Sequence, residues 1–588
     1  MSGIGDIVGT DPIRLEVIRA GLAATADEMA IALQRAAYST NVKTRQDFSC
    51  AIFDAQLRVV AQSFSVPTHL GSLTSFVPGI VNRYGIEKLQ DGDVVICNDG
   101  YRSGGVHLND VTAVAPMYVD GELTAFMAAL AHHVDVGGGN PGSMGLAREI
   151  YGEGLMIPPT LLVRDGEFDD SILRFILNNV RSPRESGGDL RAQIAGVNIG
   201  RRRLSELAGK YGRGELVTSM DALLDYTERR VRHSLAEIPH GVYEAEGFMD
   251  NDGIVDVPVR IAVRIEIDEN GVRYDLTGSA PQCAGPINST YAMTLSSCAY
   301  ALRCLLDSDL PTNDGFYRVF DIVAPLGTVV NATEPAPISV GWETGLRVTE
   351  TALRALGDAL PERITAGSKG CLSNISFGGI DPRTDRYFTF YEAVAGGYGG
   401  RAHKDGIDAI QPHGQNTENS PVEEVEANYP LRVLRYALVP DSEGPGRQRG
   451  GLGLRRDYVV EGDVSFSVLA DRGKFPPWGF AGGMDADVAR YVRNPDTDRE
   501  EQLPSKFSLR LAPGETVRVQ MAGGGGYGDP RERDPERVLA DVREEKITVA
   551  RARTAYGVVI DAETLELDRD ATARERGVQA QGGGETDE

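Results

Sequence analysis

Cysteine and histidine are both scarce in this sequence. Its 588 residues include six cysteines and eight histidines. No two cysteines have CxxC spacing, and six in so long a chain do not make a disulfide framework. Most of them lie in apolar runs such as the one that ends at Cys97, so we predict buried thiols of a reducing compartment. The cysteines are at positions 50, 97, 283, 298, 304 and 371.

Long apolar runs and an excess of positive charge are absent as well. The sequence has no uninterrupted stretch of about 18 apolar residues that would cross a membrane. Residues 1–11 lack the basic-then-apolar pattern of a signal peptide. The 60 Lys and Arg residues against 85 Asp and Glu give a net charge of −25, a surface that repels nucleic-acid phosphates. We therefore expect a cytoplasmic protein with no membrane and no nucleic-acid partner.

A phosphate-binding loop is also missing, although glycine is abundant. Three glycine-rich stretches stand out, at residues 137–139, 396–400 and 523–528. None is followed by Lys and then Ser or Thr, and none clearly joins a buried strand to a helix. We interpret them as turns or places of tight packing, and we do not expect this chain to bind ATP itself.

Periodic apolar residues predict both helices and strands. Helical spacing marks residues 12–40, 188–235 and 288–305, and a small helical unit from about 535. Alternation or short apolar runs predict strands at 50–54, 57–61, 93–97, 111–118 and 123–131, the last two joined by a turn at Asp120-Gly121. A further antiparallel pair is expected at 257–265 and 272–276, and short strands with glycine turns after about 430.

This order of elements predicts an α+β fold. We expect a multi-layer mixed fold of antiparallel sheets and helices in a large compact chain of several subdomains. The predicted units are a metal-bearing α/β core with a helical segment (1–235), a second α+β subdomain (236–430), a β-rich subdomain (431–535) and a small helical unit (536–588). The last few residues, from about 582, are predicted to be disordered.

Three of the eight histidines lie close together in the sequence, next to aspartates. His107 and Asp110 are three residues apart at the end of a glycine-rich loop, and His132 and His133 end the strand predicted at 123–131. Pairing across the Asp120-Gly121 turn brings position 110 close to position 132. Alternation sends only one of the two adjacent histidines to a given face. Two histidines with one or more aspartates suit Zn, Mn or Fe, so we predict a metal site here.

Ordered motifs extend along nearly the whole chain. They are residues 44–54, 104–111, 131–138, 141–144, 153–159, 188–193, 416–423, 429–432, 450–453 and 523–530. Together these segments resemble the hydantoinase B/oxoprolinase family. Usual variants have Thr where this chain has Val106 and Pro where it has Asn109, and both departures flank the site without removing a ligand.

The resemblance implies a ligand set for a divalent metal, with Zn or Mn expected. Carried over position by position, the ligands are Asp47, His107, Asp110 and His132, with His133 as the alternate if the strand register shifts by one. Two acidic residues are candidates for the general base or for orienting the imidazoles. Polar residues further along the chain are candidates for lining the same cavity. The acidic candidates are Asp135 and Glu153, and the candidate lining residues are His403, His413 and 416–419.

The resemblance also implies that the reaction is divided between two subunits. A separate A-type subunit uses ATP to phosphorylate the carbonyl oxygen of the substrate, and the B-type chain completes the reaction. Our first hypothesis is a metal-assisted hydrolase subunit for hydantoins, oxoproline or lactams, in a hetero-oligomer such as a dimer of heterodimers. The second is the equivalent subunit of an ATP-dependent acetone- or acetophenone-type ketone carboxylase. A third is a non-catalytic scaffold for the A-type chain.

Overall fold

Helices and mainly antiparallel strands alternate along the chain in the computed structural model, which describes residues 11–63 and 65–582. The helices are α1 (Pro12–Ala36), α2 (Thr40–Lys43), α3 (Pro67–Tyr84), α4 (Asp170–Leu177), α5 (Pro183–Tyr211), α6 (Arg213–Leu235), α7 (Tyr291–Arg303), α8 (Asp314–Tyr317), α9 (Gly341–Ala355), α10 (Val422–Asn428), α11 (Pro535–Arg543), α12 (Val549–Tyr556) and α13 (Arg569–Gly582). The strands are β1 (Phe48–Asp54), β2 (Val59–Gln62), β3 (Val94–Cys97), β4 (Asp110–Val119), β5 (Glu122–His132), β6 (Thr160–Arg164), β7 (Glu167–Phe168), β8 (Gly241–Met249), β9 (Val259–Ile267), β10 (Val272–Asp275), β11 (Phe320–Val323), β12 (Asn374–Asp381), β13 (Arg386–Ala393), β14 (Leu431–Leu438), β15 (Leu454–Val460), β16 (Val464–Leu469), β17 (Arg490–Arg493), β18 (Glu501–Leu503), β19 (Lys506–Leu511) and β20 (Thr516–Gln520).

The first sheet lies between two layers of helices. Its seven strands have the order β2-β1-β5-β4-β3-β6-β7. Along β1, Cys50 and Ile52 pack with α1 and α5, whereas Ala51 and Phe53 pack with α3. Alternate residues of a strand point to opposite faces, so a strand covered on both sides is buried at every position, as β1 is. The predicted α+β fold is confirmed.

The β4–β5 hairpin has the register that the sequence predicts. Asp120 and Gly121 both adopt positive φ, 52° and 78°. A two-residue turn of this kind matches the twist of the flanking strands and fixes their pairing. Asp110 therefore lies opposite His132.

The second sheet is covered by helices on one face. Its four strands have the order β11-β10-β9-β8, with β9 and β10 antiparallel, as predicted, and β10 and β11 parallel. The apolar residues at every second position of β9 are buried against α7 and α9. Trp342, in the first turn of α9, reaches His69 in the first turn of α3, the helix that packs on the first sheet.

The last two sheets pack on one shared core. The sheet β13-β12-β16-β19 joins strands from either side of residue 430, and the sheet β14-β15-β20-β17-β18 lies against it. The glycine-rich stretches at 396–400 and 523–528 lie where these segments meet. A Cβ on Gly524 would come 2.1 Å from the carbonyl oxygen of Tyr398, so only glycine allows the close approach. Tight packing is thus the role of these glycines, as predicted.

Some predicted boundaries differ from the structure. The first helix ends at Ala36 rather than 40, because Ala37 is extended and Thr40 starts the separate helix α2. The long helix predicted at 188–235 is two helices, since Gly212 breaks it at φ 89°. The strand predicted from 57 begins at Val59, because Leu57 has positive φ in the turn before it.

The C-terminal helices form a small cluster with its own apolar core, as predicted from about residue 535. Arg533 connects it to the preceding part of the chain through ion pairs of 2.7 Å with both Asp405 and Asp541. Gly582 ends α13, and the rest of the tail predicted to be disordered lies outside the described residues. Within residues 11–63 and 65–582, no helix has the length and apolar character needed to cross a membrane.

Candidate metal centre

The ends of β4 and β5 carry the two central side chains of the site. Asp110 begins β4 and His132 ends β5, directly opposite each other. His132 Nδ1 lies 3.3 Å from Asp110 Oδ1, and both side chains are buried. Strand pairing therefore holds an imidazole and a carboxylate side by side without help from a loop.

His107 reaches the same carboxylate from the loop that precedes β4. Its Nε2 lies 3.1 Å from Asp110 Oδ1, while its Nδ1 lies 2.9 Å from the carbonyl oxygen of Ser339. A carbonyl oxygen only accepts, so Nδ1 carries the proton and Nε2 keeps its lone pair. That lone pair then faces a carboxylate oxygen. Two acceptors this close need a cation or a proton between them.

His69 and Asp47 complete the group from two other elements. His69 lies in the first turn of α3, and its Nε2 is 3.8 Å from both Asp47 Oδ1 and Asp110 Oδ2. Its other ring nitrogen contacts Ser49 Oγ at 3.3 Å. Asp47 immediately precedes β1. His69 was not predicted from the sequence; the available signal was a histidine two residues after Pro67 at a helix start, just after the first strand pair.

The donor atoms of this group fit a divalent metal. Ligand atoms of His107, Asp110 and His132 all lie within 4.8 Å of one another. Among the described residues, His107 Nε2, His132 Nε2 and Asp110 Oδ2 are buried and have no hydrogen-bond partner. Each such atom costs about 1–3 kcal/mol unless something else satisfies it. Nitrogen and carboxylate donors in this number suit Zn, Mn or Fe, so the residues present fit the ion that the sequence predicts.

A cavity of about 20 Å³ lies between these side chains. That is enough for a single ion or water and nothing larger. Tyr391 stacks on His132 with ring centres 4.9 Å apart, and the Trp342 ring meets His69 edge-on at 5.0 Å. These aromatic rings exclude bulk water from the group. The lining residues are Asp47, Val66, His69, His107, His132, Trp342, Leu372, Ala393, Gln415 and Thr417.

The charges of the group shift its pKa values. Burial penalises the Asp110 carboxylate, but its electrostatic interactions and hydrogen bonds with the surrounding imidazoles, His107 first, outweigh burial and hold the pKa of Asp110 far below its usual range. Burial likewise lowers the pKa of His107, but Asp110 outweighs burial and raises it overall. For His69 burial prevails, so its pKa is lowered. The site thus keeps a buried negative charge, as a cation site requires.

His133 points away from this group. Its Nε2 donates to Gln193 Oε1 at 3.0 Å, and the Gln193 amide donates to the carbonyl oxygens of Val111 and Ala129. Burial lowers the pKa of His133. The register thus places His132, not the alternate His133, beside Asp110. Asn109 stabilises this arrangement, because its Nδ2 donates to the His133 carbonyl oxygen at 2.9 Å.

The two adjacent histidines should respond differently to the same replacement. We expect His132→Gln to lower metal affinity by more than about 100-fold, since a ligand is lost. His133→Gln should keep its metal and lower the melting temperature, because the hydrogen bond to Gln193 is lost. Elemental analysis after dialysis and thermal melting measure the two effects. If only the His133 variant lost its metal, the metal would instead be bound on the side of the strand that His133 faces.

The two acidic candidates lie around the group rather than in it. Asp135 accepts from the backbone N–H groups of Gly137 and Gly142 and pairs with Arg181 at 3.0 Å, so it shapes the loop after β5. Glu153 accepts from the N–H groups of Ile338 (3.0 Å) and Ser339 (2.8 Å), and burial raises its pKa to about 7. Because the Ser339 carbonyl orients His107, Glu153 positions that imidazole indirectly.

The later polar residues divide into three groups. His403 is exposed and pairs with Glu362 at 2.9 Å, away from the cavity. His413 is buried, but its Nε2 contacts Thr365 Oγ1 at 3.3 Å and it does not line the cavity. From the segment 416–419 only Thr417 contributes to the wall. Gln415, just before it, does so as well and was not predicted from the sequence.

Comparison with known proteins gives relatives along nearly the whole chain. Residues 11–530 match the family model described as hydantoinase B/oxoprolinase. The putative B-type chain of the D-/L-hydantoinase of Pseudomonas sp. (strain NS671) is 36% identical, over 96% of this chain and 98% of its own length. The beta chain of the caprolactamase of Pseudomonas jessenii is 33% identical, over 96% of this chain and 99% of its own length.

Solved structures show the same fold. The crystal structure of ATP-dependent caprolactamase from Pseudomonas jessenii aligns with a TM-score of 0.90 at 30% identity, covering 97% of this chain and 100% of that one. A nucleotide-free acetone carboxylase structure also has a TM-score of 0.90, at 20% identity, covering 98% of this chain and 84% of that one, a likeness of fold alone. From its motifs, its fold and the match over residues 11–530, this chain belongs to the hydantoinase B/oxoprolinase family.

Proposed function

We propose that this chain is the B-type subunit of an ATP-dependent cyclic-amide hydrolase and that its metal centre is the reaction site. One observation carries the proposal. Three buried histidines and two carboxylates cluster around a cavity of about 20 Å³, and three of their nitrogen and oxygen atoms have no hydrogen-bond partner among the described residues. Such a cluster makes the free energy of folding less favourable, which is typical of a functional site.

In this proposal some side chains of the site bind the metal and others orient its ligands. Asp47, His69, His107, Asp110 and His132 would hold a divalent ion, for which we favour Zn or Mn. The ion supplies Lewis acidity and makes water a nucleophile at neutral pH. The Ser339 carbonyl fixes the tautomer of His107, and Glu153 fixes Ser339.

ATP is used on another chain. In this proposal an A-type partner transfers the γ-phosphoryl group to the amide oxygen, which makes the ring carbon electrophilic. Water then adds to that carbon, and the C–N bond breaks as the nitrogen takes a proton. A second water hydrolyses the resulting acyl phosphate to a carboxylate and inorganic phosphate. The ring is thus opened at the expense of one ATP and two waters.

The partner is the A-type ATP-binding subunit. We propose a hetero-oligomer such as a dimer of heterodimers, located in the cytoplasm, where ATP is supplied. The net charge of −25 favours a partner surface of complementary charge.

Substrate profiling of the co-purified complex tests this function. We expect ATP-dependent opening of at least one of hydantoin, 5-oxoproline or caprolactam, with one ADP released per ring opened and no need for bicarbonate. Chromatography of the ring-opened product and a coupled ADP assay measure the two quantities. Turnover of acetophenone only with bicarbonate would instead establish the carboxylase. Unchanged ring opening in a metal-free complex would leave this chain as a scaffold.

A further inference from the structure

One short segment separates the metal cavity from solvent. We call residues 414–418 the roof segment. Gln415 and Thr417 face the cavity, whereas Asn416 and Glu418, which alternate with them, are exposed. The roof segment is therefore a single layer of chain, with one side in the site and the other in water.

Gln415 is the unusual residue of this segment. Its side chain is 8% exposed, yet neither Nε2 nor Oε1 has a hydrogen-bond partner among the described residues. The nearby Gln411 is equally buried but satisfied: its Nε2 donates to the Ala393 carbonyl oxygen and its Oε1 accepts from Lys369, both at 2.9 Å. Folding alone gives no reason for a buried, unsatisfied carboxamide, because an apolar side chain would fit at lower cost.

We propose that Gln415 recognises the ring amide of the substrate, which makes it a specificity-determining residue. The inference rests on the proposed hydrolase function. In a small ring the amide is cis, so its N–H and C=O point to the same side. A primary carboxamide also presents a donor and an acceptor side by side. The two groups can therefore form a pair of parallel hydrogen bonds, N–H to Oε1 and Nε2–H to the substrate.

The same carboxamide suits the later steps of ring opening. Phosphorylation of the oxygen leaves a positively charged C=N–H unit in the ring, and its N–H can still donate to Oε1. As the C–N bond breaks the nitrogen gains protons, and Oε1 can accept from them. A ketone or a lactone has no N–H, so Oε1 would stay buried without a donor. A site built for such a hydrogen bond strongly rejects the analogue that lacks it.

A ring can enter the site only if part of the cavity wall moves, and the roof segment is the part we assign to this movement. A cavity of about 20 Å³ is smaller than any of the proposed rings. The segment is held at its ends, where Thr68 Oγ1 donates to the Gly414 carbonyl oxygen at 2.7 Å and the Glu418 N–H donates to the Arg45 carbonyl oxygen at 3.2 Å. Between these anchors, the side chains of Gln415 and Thr417 make no hydrogen bond to any described residue. Displacing them therefore breaks few contacts.

The test compares Gln415→Met with Gln411→Met in the zinc-loaded full-length chain. Binding is measured by calorimetric titration with three pairs of rings. Each pair compares a ring that has N–H with one that has none: caprolactam and caprolactone, 5-oxoproline and its lactone isostere, hydantoin and 1,3-dimethylhydantoin. For the wild type we expect a preference of at least about 100-fold for the N–H member of one pair. Gln415→Met should reduce that preference to within about 3-fold, with its metal content unchanged, whereas Gln411→Met should keep it.

Thermal melting adds a readout that a merely structural role would not produce. Gln415→Met should melt at or above the wild-type temperature, since an unsatisfied amide is removed. Gln411→Met should melt lower by at least about 2 °C, because two hydrogen bonds are lost. An N–H preference that survives in Gln415→Met, or is absent from the wild type, overturns the inference. If the complex still opens a ring amide in that case, the proposed function stands; if it opens none, the proposed function itself has failed.

Discussion

Replacing Asp110 by asparagine is expected to empty the metal site and stop ring opening. The Asp110 carboxylate lies 3.1 Å from His107, 3.3 Å from His132 and 3.8 Å from His69, so it is the one group that every imidazole faces. The amide keeps the shape but removes the charge that draws a cation into a buried site. We expect metal affinity to fall by more than about 100-fold and ring opening by more than about 1,000-fold.

Two measurements separate this effect from unfolding. ADP release by the proposed A-type partner should continue, because the proposed function assigns phosphorylation to that chain. Asp135→Asn serves as the matched control: that carboxylate is equally buried, but backbone N–H groups and Arg181 hold it, so the metal content should not change. Full metal occupancy in Asp110→Asn, determined by elemental analysis, would remove this residue from the ligand set.

Breaking the buried ion pair between Glu392 and Arg456 should give the largest loss of stability. Both side chains are fully buried, on β13 and β15, and they are in direct contact. Glu392 also accepts from the Ser420 N–H at 2.6 Å and from the Tyr458 hydroxyl at 3.0 Å. Glu392→Leu leaves a guanidinium in the apolar core without its counter-charge. Such a charge costs about 3–5 kcal/mol.

Native-state hydrogen exchange measures this loss where it occurs. The opening free energy of amides in β13 and β15 should fall by about 3–5 kcal/mol in Glu392→Leu. The double variant Glu392→Leu with Arg456→Met should lose less than the single one, because no unpaired charge remains. Equal losses in both variants would mean that packing, not the ion pair, stabilises this core. The Ser420 N–H, just after the roof segment, donates to Glu392, so the exchange of this amide should also be faster in Glu392→Leu.

Local patterns were enough to predict one half of the site. The Asp120-Gly121 turn and the two-residue period of the strands set the pairing of Asp110 with His132 before any tertiary contact is considered. The sequence left the choice between His132 and His133 open, and the structure places His132 opposite Asp110 and turns His133 the other way. The glycine-rich stretches were likewise interpreted correctly as close packing, since none had the flanking residues of a phosphate loop.

Helix ends were harder to predict. Apolar spacing continued past Ala36 and across Gly212, but backbone conformation at single residues ended the helices there. Periodicity is a property of a window of residues, whereas a helix end depends on one or two φ/ψ pairs. For the elements that were predicted, the errors therefore lie at boundaries and not in the type of element, whereas α3 and α9 were not predicted at all.

The sequence by itself determined the α+β order of elements, the hairpin that joins Asp110 to His132, and the family to which the chain belongs. Each of these depends on residues that are neighbours along the chain or on motifs in fixed order. The tertiary structure alone decided that His69 joins the site, that Ser339, 232 residues from His107, sets its tautomer, and that Gln415 faces the cavity unpaired. Such contacts arise where separate layers pack together, and packing between distant segments leaves no periodic trace in the sequence.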